Sequence, residues 1–449
     1  MKDAACTLRR WLEDLLARNA DCAYLRRYGS PRALEDFRAR LPLCRHEDVA
    51  PWLERVERNE ADALFAGRPV AFERTGGSGG GVKRLPYSAA GLLDFQRNLS
   101  PWVERMLRDI RGRVYFATSP AARAPEYIGG IPVGLPDGAY LGEDLGRRLA
   151  ARSIVSPELL RETDMAAWRK KTVEALRQAD DLELISVWSP TFLLRLLEDI
   201  PDPARAWPRL KWVSCWMSGA SRPHAEALIR RLPQARFEAK GLMSTEAVIS
   251  VPDARGQAVL AAHGFVEFLS EGMEEPAGVE ALDAGAIYET IVTTASGLYR
   301  YRTGDRARVL RRTATGWPAL EFVGRSLCSD LVGEKLEEAF VSQCLAPLAE
   351  EALLVPDVRR PGYVLISARA LPPQALAETE QRLAANPQYA YARALGQLAP
   401  LRMRVFPQPF ARVEEVLLER GASPGVLKAM ALRPEAFWLE CFGEQGTED

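Results

Sequence analysis

Leu8, Trp11, Leu12, Leu15 and Leu16 recur at helical spacing with Arg9, Arg10, Glu13 and Asp14 between them. That pattern predicts an amphipathic helix at the start of the chain and is unlike the unbroken apolar core of a signal peptide. The region up to residue 75 reads as helices and loops and ends in a glycine cluster at 75–81. After it, elements alternate: 88–108 reads as helix, 113–117 as strand, 165–178 as helix and 184–188 as an apolar strand, which Ser189-Pro190 stops before 192–197 opens another apolar helix. Strands alternating with helices predict a mainly parallel sheet covered on both faces. Three further strands, 265–269, 288–294 and 306–310, sit between short turns and read as antiparallel, so a small barrel-like sheet should close this region near Phe322.

Beyond Gly324-Arg325 the pattern restarts, with helix 335–345, strand 362–367, helix 373–385, strand 402–406 and helix 411–420. The expected chain is therefore α/β, with a large N-terminal domain over 1–323 and a smaller α+β domain over 324–449, joined by a hinge at 324–330. A length of 449 residues suits two or three packed units. With 47% apolar and 27% charged residues, the composition is that of an ordinary globular protein.

Lys plus Arg (59) nearly cancels Asp plus Glu (60), so no net field draws the chain to nucleic acid or to an anionic membrane, and any anion must be held locally. No run of about 18 apolar residues predicts a membrane helix. A cytoplasmic monomer or weak dimer is the expectation. The seven cysteines are scattered without a Cys-x-x-Cys pair and only three histidines occur, which speaks against structural zinc and a disulfide framework.

Three local patterns carry candidate chemistry. In Thr75-Gly76-Gly77-Ser78-Gly79-Gly80-Gly81-Val82-Lys83, glycines surround a hydroxyl and a lysine closes the run. Backbone N–H groups in such a loop can turn around phosphate oxygens, because no Cβ blocks the approach. Lys83 is followed by Arg84, so the Walker pattern is not met, and a plain surface loop is the alternative. Gly76 to Gly80 also spells Gly-x-Ser-x-Gly, but glycine on both sides favours phosphate binding over a nucleophile elbow. In Leu242-Met243-Ser244-Thr245-Glu246, a hydroxyl beside a carboxylate offers hard oxygens to a phosphate-bound magnesium ion; a helix cap or a solvated turn is the other reading. In Tyr299 to Asp305, Asp305 on a glycine turn can accept two hydrogen bonds from a ribose diol, and an ordinary hairpin turn is the alternative.

The order of these patterns resembles the adenylate-forming superfamily. Within it the chain is most similar to the auxin-responsive (Gretchen Hagen type) acyl acid amido synthetases, including bacterial indoleacetate-lysine ligases. The stretches that carry the resemblance are TGGSGGGVKRLPYS (75–88), VWSPTFLLRLLE (187–198), KGLMSTEA (240–247), YETIVTTASGLYRYRTGDRARV (288–309) and GASPGVLK (421–428).

The resemblance implies a ligase that uses ATP and Mg²⁺ to adenylate a small carboxylic acid and transfers the acyl group to an amine. It assigns Thr75, Gly77, Ser78, Gly79, Gly80 and Lys83 to the phosphate loop, and Ser244, Thr245 and Glu246 to phosphate and metal. Asp305 is assigned to ribose, Arg325 to the start of the hinge, and Lys428 to the acyl phosphate oxygens. Val187, Trp188, Phe192, Met217 and Met243 lie near acyl-pocket positions and suggest an apolar or aromatic acid; core packing is their other reading. Where relatives place an aromatic against adenine this chain has Leu242, and Ala429-Met430 replaces the Pro-Arg that usually follows the lysine. An acyl-CoA ligase of the phenylacetate type and a nucleotide-binding module without catalysis are the competing functions.

Overall fold

A computed structural model of the chain describes residues 3–75, 83–116, 126–218, 221–325, 328–348, 351–419 and 430–443. They divide into two compact units, one from residues up to 75 with 84–323, the other from Lys83 together with residue 324 onward.

The first helix, Ala4–Arg18, buries Leu8, Leu12, Leu15 and Leu16. Asp3 caps it by accepting from the Cys6 N–H at 3.1 Å. Its apolar stripe joins Phe265, Phe268, Tyr288 and Val292 in the largest core of the unit, with Trp11 packed at the edge.

Ala71–Thr75 (β1) and Lys83–Tyr87 (β2) bracket the glycine run. Ser88 then caps the helix Ala89–Arg108 through the Gly91 N–H at 2.9 Å. Arg113–Phe116 (β3) follows, and then the short pair Glu126–Ile128 (β4) and Ile131–Val133 (β5), which joins the first two strands in the order β2-β1-β5-β4.

Leu182–Ser186 (β6), Trp212–Cys215 (β7) and Arg236–Ala239 (β8) pair with β3 in the parallel order β3-β6-β7-β8. Alternate residues of these strands point to opposite faces. Tyr115, Leu182, Ile185 and Val213 pack with Leu193, Leu196 and Leu228 from helices Pro190–Leu197 and Arg222–Arg231. Val114, Leu184 and Trp212 pack the other way, against Trp102, Val103 and Met106 of Ala89–Arg108. Both faces are thus covered, as the apolar run at 184–188 implies, although the strand starts two residues before it. The strand ends two residues earlier than that run suggests, and Val187 and Trp188 lie past its end while still bonding the β7 side: Val187 N to Ser214 O at 2.9 Å, Trp216 N to Trp188 O at 2.8 Å.

The chain leaves β8 through Gly241, at φ +83°, and turns back into Ser250–Pro252 (β9). Ala258–Leu260 (β10), Phe265–Leu269 (β11), Ile287–Thr293 (β12), Tyr301–Arg312 (β13) and Pro318–Arg325 (β14) complete an antiparallel sheet in the order β11-β12-β13-β14-β10-β9. The barrel-like sheet expected near Phe322 is this one. It is wider than the pattern implied, because β9 and β10 span three residues each and leave no periodic run. The strand read at 306–310 is the second half of β13.

In the second unit, Cys328–Ser329 (β15) pairs with Leu336–Glu337 (β16), so the helix expected from 335 starts at Glu338. Ala352–Asp357 (β17), Gly362–Ser367 (β18) and Arg402–Val405 (β19) form a sheet, antiparallel between the first two and parallel between the last two. Leu353, Val355, Val364 and Ile366 pack there with Val413, Val416, Trp438 and Phe442. The Glu338 carboxylate accepts from the Ala431 and Leu432 N–H groups at 2.8 and 2.5 Å, and residues 431–433 run beside Leu354. Glu334 is fully buried, accepts from the Leu331 and Val332 N–H groups at 2.8 Å each, and is pushed up to about 7 by burial and the neighbouring Asp330 charge. Among the described residues, no helix is long and apolar enough to cross a membrane.

Gly241 gives a direct test of this topology. A Cβ there would stand 2.4 Å from the Ser250 carbonyl oxygen, at a φ that L-residues avoid. Gly241→Ala should lower unfolding stability by at least about 2 kcal/mol, from left-handed strain plus the clash. Urea unfolding measures it, and an unchanged midpoint would show that the turn accepts a side chain.

Candidate active site

The residues after β8 hold one of the three patterns. Leu242 donates its N–H to Ser250 Oγ at 2.9 Å, and its carbonyl accepts from the Ile249 and Ser250 N–H groups at 2.9 and 3.0 Å. Met243 bridges to Val248, and the Ser244 N–H donates to Ala247 O at 2.9 Å. The backbone therefore doubles back, with Thr245 and Glu246 at the tip and both partly exposed. A helix cap is excluded as their role, because the chain runs from this turn into β9 and not into a helix.

The Tyr87 hydroxyl donates to Thr245 O at 2.6 Å. Tyr87 is the last residue of β2, so the strand leaving the glycine run is tied to the turn that carries Thr245 and Glu246. Burial, reinforced by the charges of Glu73 and Glu246, holds this phenol well above its ordinary range, and it remains a neutral donor. Phe95 and Tyr140 pack on its ring at 5.4 and 6.0 Å. The next residue, Ser88, donates through Oγ to Ala295 O at 2.8 Å and through N–H to Ser296 Oγ at 3.1 Å. A cavity walled by Tyr87, Thr245, Glu246, His263 and Ser296 lies between these segments.

Residues 295–296 lead into β13, where Asp305 sits. Gly304 and Asp305 do not close a hairpin, as the glycine suggested, but belong to a bulge in the middle of the strand. The register passes from Glu289 opposite Arg306 to Ile291 opposite Arg302, so Thr290 faces Thr303, Gly304 and Asp305 together. Gly304 takes φ +75°, a need that turns and bulges share, and only the ladder on both sides tells them apart. The Asp305 N–H donates to Thr303 Oγ1 at 3.0 Å, and the Thr290 hydroxyl donates to Asp305 O at 3.3 Å. Asp305 is buried. Just before it, Arg300 at φ +48° is buried and donates to Glu267 at 3.2 Å and to the carbonyls of Leu41 and Arg38 at 2.7 and 3.0 Å; Arg302 pairs with Glu289.

Residues 1–202 match the GH3 family N-terminal domain and residues 257–325 the GH3 family central domain. The chain belongs to the GH3 family. It is 25% identical to the probable indole-3-acetic acid-amido synthetase GH3.1 of Oryza sativa subsp. japonica, over 94% of this chain and 86% of that protein. The solved structure of AtGH3.15 acyl acid amido synthetase in complex with 2,4-DB shares the fold at a TM-score of 0.64 and 18% identity, covering 98% of this chain and 93% of the other. A 2-hydroxyisobutyryl-CoA ligase in complex with 2-HIB-AMP and CoA shares it at 0.62 and 13%, covering 96% and 90%.

The other residues assigned by resemblance to the GH3 family stand as follows. Thr75 and Lys83 are the strand ends on either side of the glycine run, while Gly77, Ser78, Gly79 and Gly80 lie outside the described residues. Lys428 lies outside them as well. Arg325 ends β14 and pairs with Cys328. Val187 and Phe192 are buried between the parallel sheet and its helices, with the Phe192 ring 5.7 Å from Trp168. Trp188, Met217 and Met243 are partly exposed and follow the carboxyl ends of β6, β7 and β8, where Trp188 stands 6.1 Å from Trp216. Leu242 is buried in the main core.

Among the described residues, no group of three or more His, Cys, Asp or Glu side chains could hold a metal by itself. Tyr87 and Lys240 were not singled out by the sequence, since a tyrosine at a strand end and a lysine after one carry no signal until their surroundings are known.

Tyr87→Phe leaves the ring packing in place and removes the donor to Thr245 O. The loss of one buried hydrogen bond should lower stability by about 1 to 2 kcal/mol, read from the denaturant midpoint. Wild-type stability in the variant would show that water replaces the phenol and that the turn needs no tie to β2.

Proposed function

We propose that this GH3 family chain uses ATP to convert a small, apolar or aromatic carboxylic acid into its acyl adenylate, and then passes the acyl group to an amine, in the first instance an amino acid. The observation that carries the reading is the Tyr87 to Thr245 hydrogen bond, which ties the strand leaving the glycine run to the Thr245–Glu246 turn. A carboxylate is a poor acyl donor because it would have to expel oxide; joined to AMP it has a good leaving group. No covalent enzyme intermediate is required.

In this reading, N–H groups of the 76–82 run and Lys83 receive the phosphates, Asp305 accepts the ribose hydroxyls, and Lys428 meets the charge that gathers between carboxylate and α-phosphate. Glu246, partly exposed beside the Thr245 hydroxyl, fits Mg²⁺, which takes one or two carboxylates together with substrate phosphates and so does not need a cluster of protein ligands. When bound, the ion neutralises phosphate charge. Residues 324–330 would serve as a hinge for the second unit, 324–449, to serve both half-reactions in turn.

Amide formation is favoured over a CoA thioester because the amido synthetase relative is similar along 94% of this chain, whereas the likeness to the CoA ligase extends to the fold alone.

Spent nucleotide should be AMP with pyrophosphate, separable from ADP by chromatography; ADP would place the chain among acyl phosphate ligases. Glu246→Ala and Asp305→Ala should each slow ATP–pyrophosphate exchange strongly, since one charged contact in a dry site contributes about 2 to 4 kcal/mol. Wild-type exchange in both variants would refute the site. Lys428→Ala should slow adenylation by about a hundredfold or more, yet leave transfer from a supplied acyl adenylate nearly intact. Equal rates in both assays would make Lys428 a surface residue.

A further inference from the structure

The carboxyl edge of the parallel sheet holds a charged group that the steps above do not use. Lys240, the first residue after β8, is 3% exposed, although lysine is among the residues least often buried. Its Nζ donates to the Oγ of Ser186, the last residue of β6, at 2.7 Å. It stands 4.8 Å from the ring centre of Trp188, 5.4 Å from Trp102 and 5.7 Å from Phe116. The rings come from three separate places: Trp188 follows β6, Phe116 ends β3, and Trp102 lies on Ala89–Arg108.

Taking an ammonium out of water is costly, and cation–ring contacts return only part of that cost. A methionine or leucine would fill the same space without that cost, so packing alone is a poor account of a lysine here. The surroundings matter as well. Trp188, Met217 and Met243, three of the acyl-pocket candidates, are partly exposed at this same edge. Ligands of parallel sheets bind beyond the carboxyl ends of the strands.

We propose that Lys240 is a specificity residue of the acid pocket, donating to an oxygen substituent on the ring or chain of the acid: a hydroxyl, a phenolate or a second carboxylate, remote from the carboxylate that reacts. The inference rests on the ligase reading. The remote end follows from the order of residues along the edge. Thr245 and Glu246, assigned to phosphate and metal, lie at the tip of the turn, whereas Lys240 precedes Gly241 and is held down to the sheet by Ser186. The reacting carboxylate belongs with the phosphates at the tip, so the group that meets Lys240 is at the other end of the acid. An acid lacking that oxygen would set apolar atoms against an ammonium already out of water and form no hydrogen bond with it, which is how polar pockets reject analogues most strongly.

The experiment compares ATP–pyrophosphate exchange for matched acids, such as phenylacetate with its ring-hydroxylated and ring-carboxylated forms. The wild-type protein should favour an oxygen-bearing member in kcat/KM by about tenfold or more. Lys240→Met should abolish that preference by lowering kcat/KM for the oxygen-bearing acid while leaving the parent acid equal or better, and Lys240→Arg should keep part of it. A preference unchanged in Lys240→Met, or an equal fall for both acids, overturns the proposal. If Lys240→Met fails to fold, Ser186→Ala decides: it keeps the charge and removes its orienting hydroxyl, so a weakened preference supports the assignment and an unchanged one overturns it. Acid binding without ATP, followed by tryptophan fluorescence, separates the two readings. Lys240-dependent binding of the oxygen-bearing acid with no pyrophosphate exchange would refute the ligase reading and keep this one, and exchange with no preference would do the reverse.

Discussion

The left-handed turn at Gly241 is the constraint on which the large unit depends. The chain must pass there from the end of a parallel sheet into the edge of an antiparallel one, and the carbonyl of Ser250 comes so close that no side chain fits. Because the backbone reverses at once, Leu242 can hand its carbonyl to Ile249 and Ser250, and residues 245–246 are left at the tip with hydroxyl and carboxylate partly exposed. The partial exposure of Thr245 and Glu246 is thus a by-product of joining two sheets.

Polar groups hold the rest of the arrangement because they are buried with partners of fixed geometry. Tyr87 ties β2 to the turn, Ser88 ties the next helix to residues 295–296, and the Thr290, Thr303 and Asp305 group fixes the bulge in β13. Arg300 and Arg38 meet on the fully buried Glu267, linking the helix Leu34–Arg40 to β11 and to the start of β13. The Tyr87, Ser88 and Arg38 links join segments far apart in the chain and hold only when the unit is folded, whereas the Thr290, Thr303 and Asp305 group acts between neighbouring strands. Apolar burial supplies most of the driving force, while these directional contacts select one register.

Such contacts also set where charge can persist. The Tyr87 phenol stays neutral near Glu73 and Glu246 because it is buried, and Lys240 is held among rings with its Nζ bonded to Ser186 Oγ. The Lys240 surroundings, rings around an oriented donor, differ in kind from the Thr245–Glu246 turn a few residues away, where both residues are partly exposed.

The periodicity of Leu8 to Leu16, the apolar run at 184–188 and the restart of the pattern after Gly324 were legible in the residues alone, because helix and strand periods follow from local geometry. Family membership was legible for the same reason, since short motifs with fixed spacing survive as text. What the residues could not decide was anything set by distant partners. Gly304 signals a positive φ in a turn and in a bulge alike; the ladder of β12 against β13 decided between them. The three-residue strands β9 and β10 have no period to read, and Tyr87 and Lys240 became functional candidates only when Thr245, Ser186 and Trp188 were brought to them from other elements. The sequence by itself determined the types of its periodic elements and the family. The tertiary structure alone decided register, the bulge at Asp305 and the surroundings of each buried polar group, because hydrogen bonds and ring contacts across the chain have no period along it.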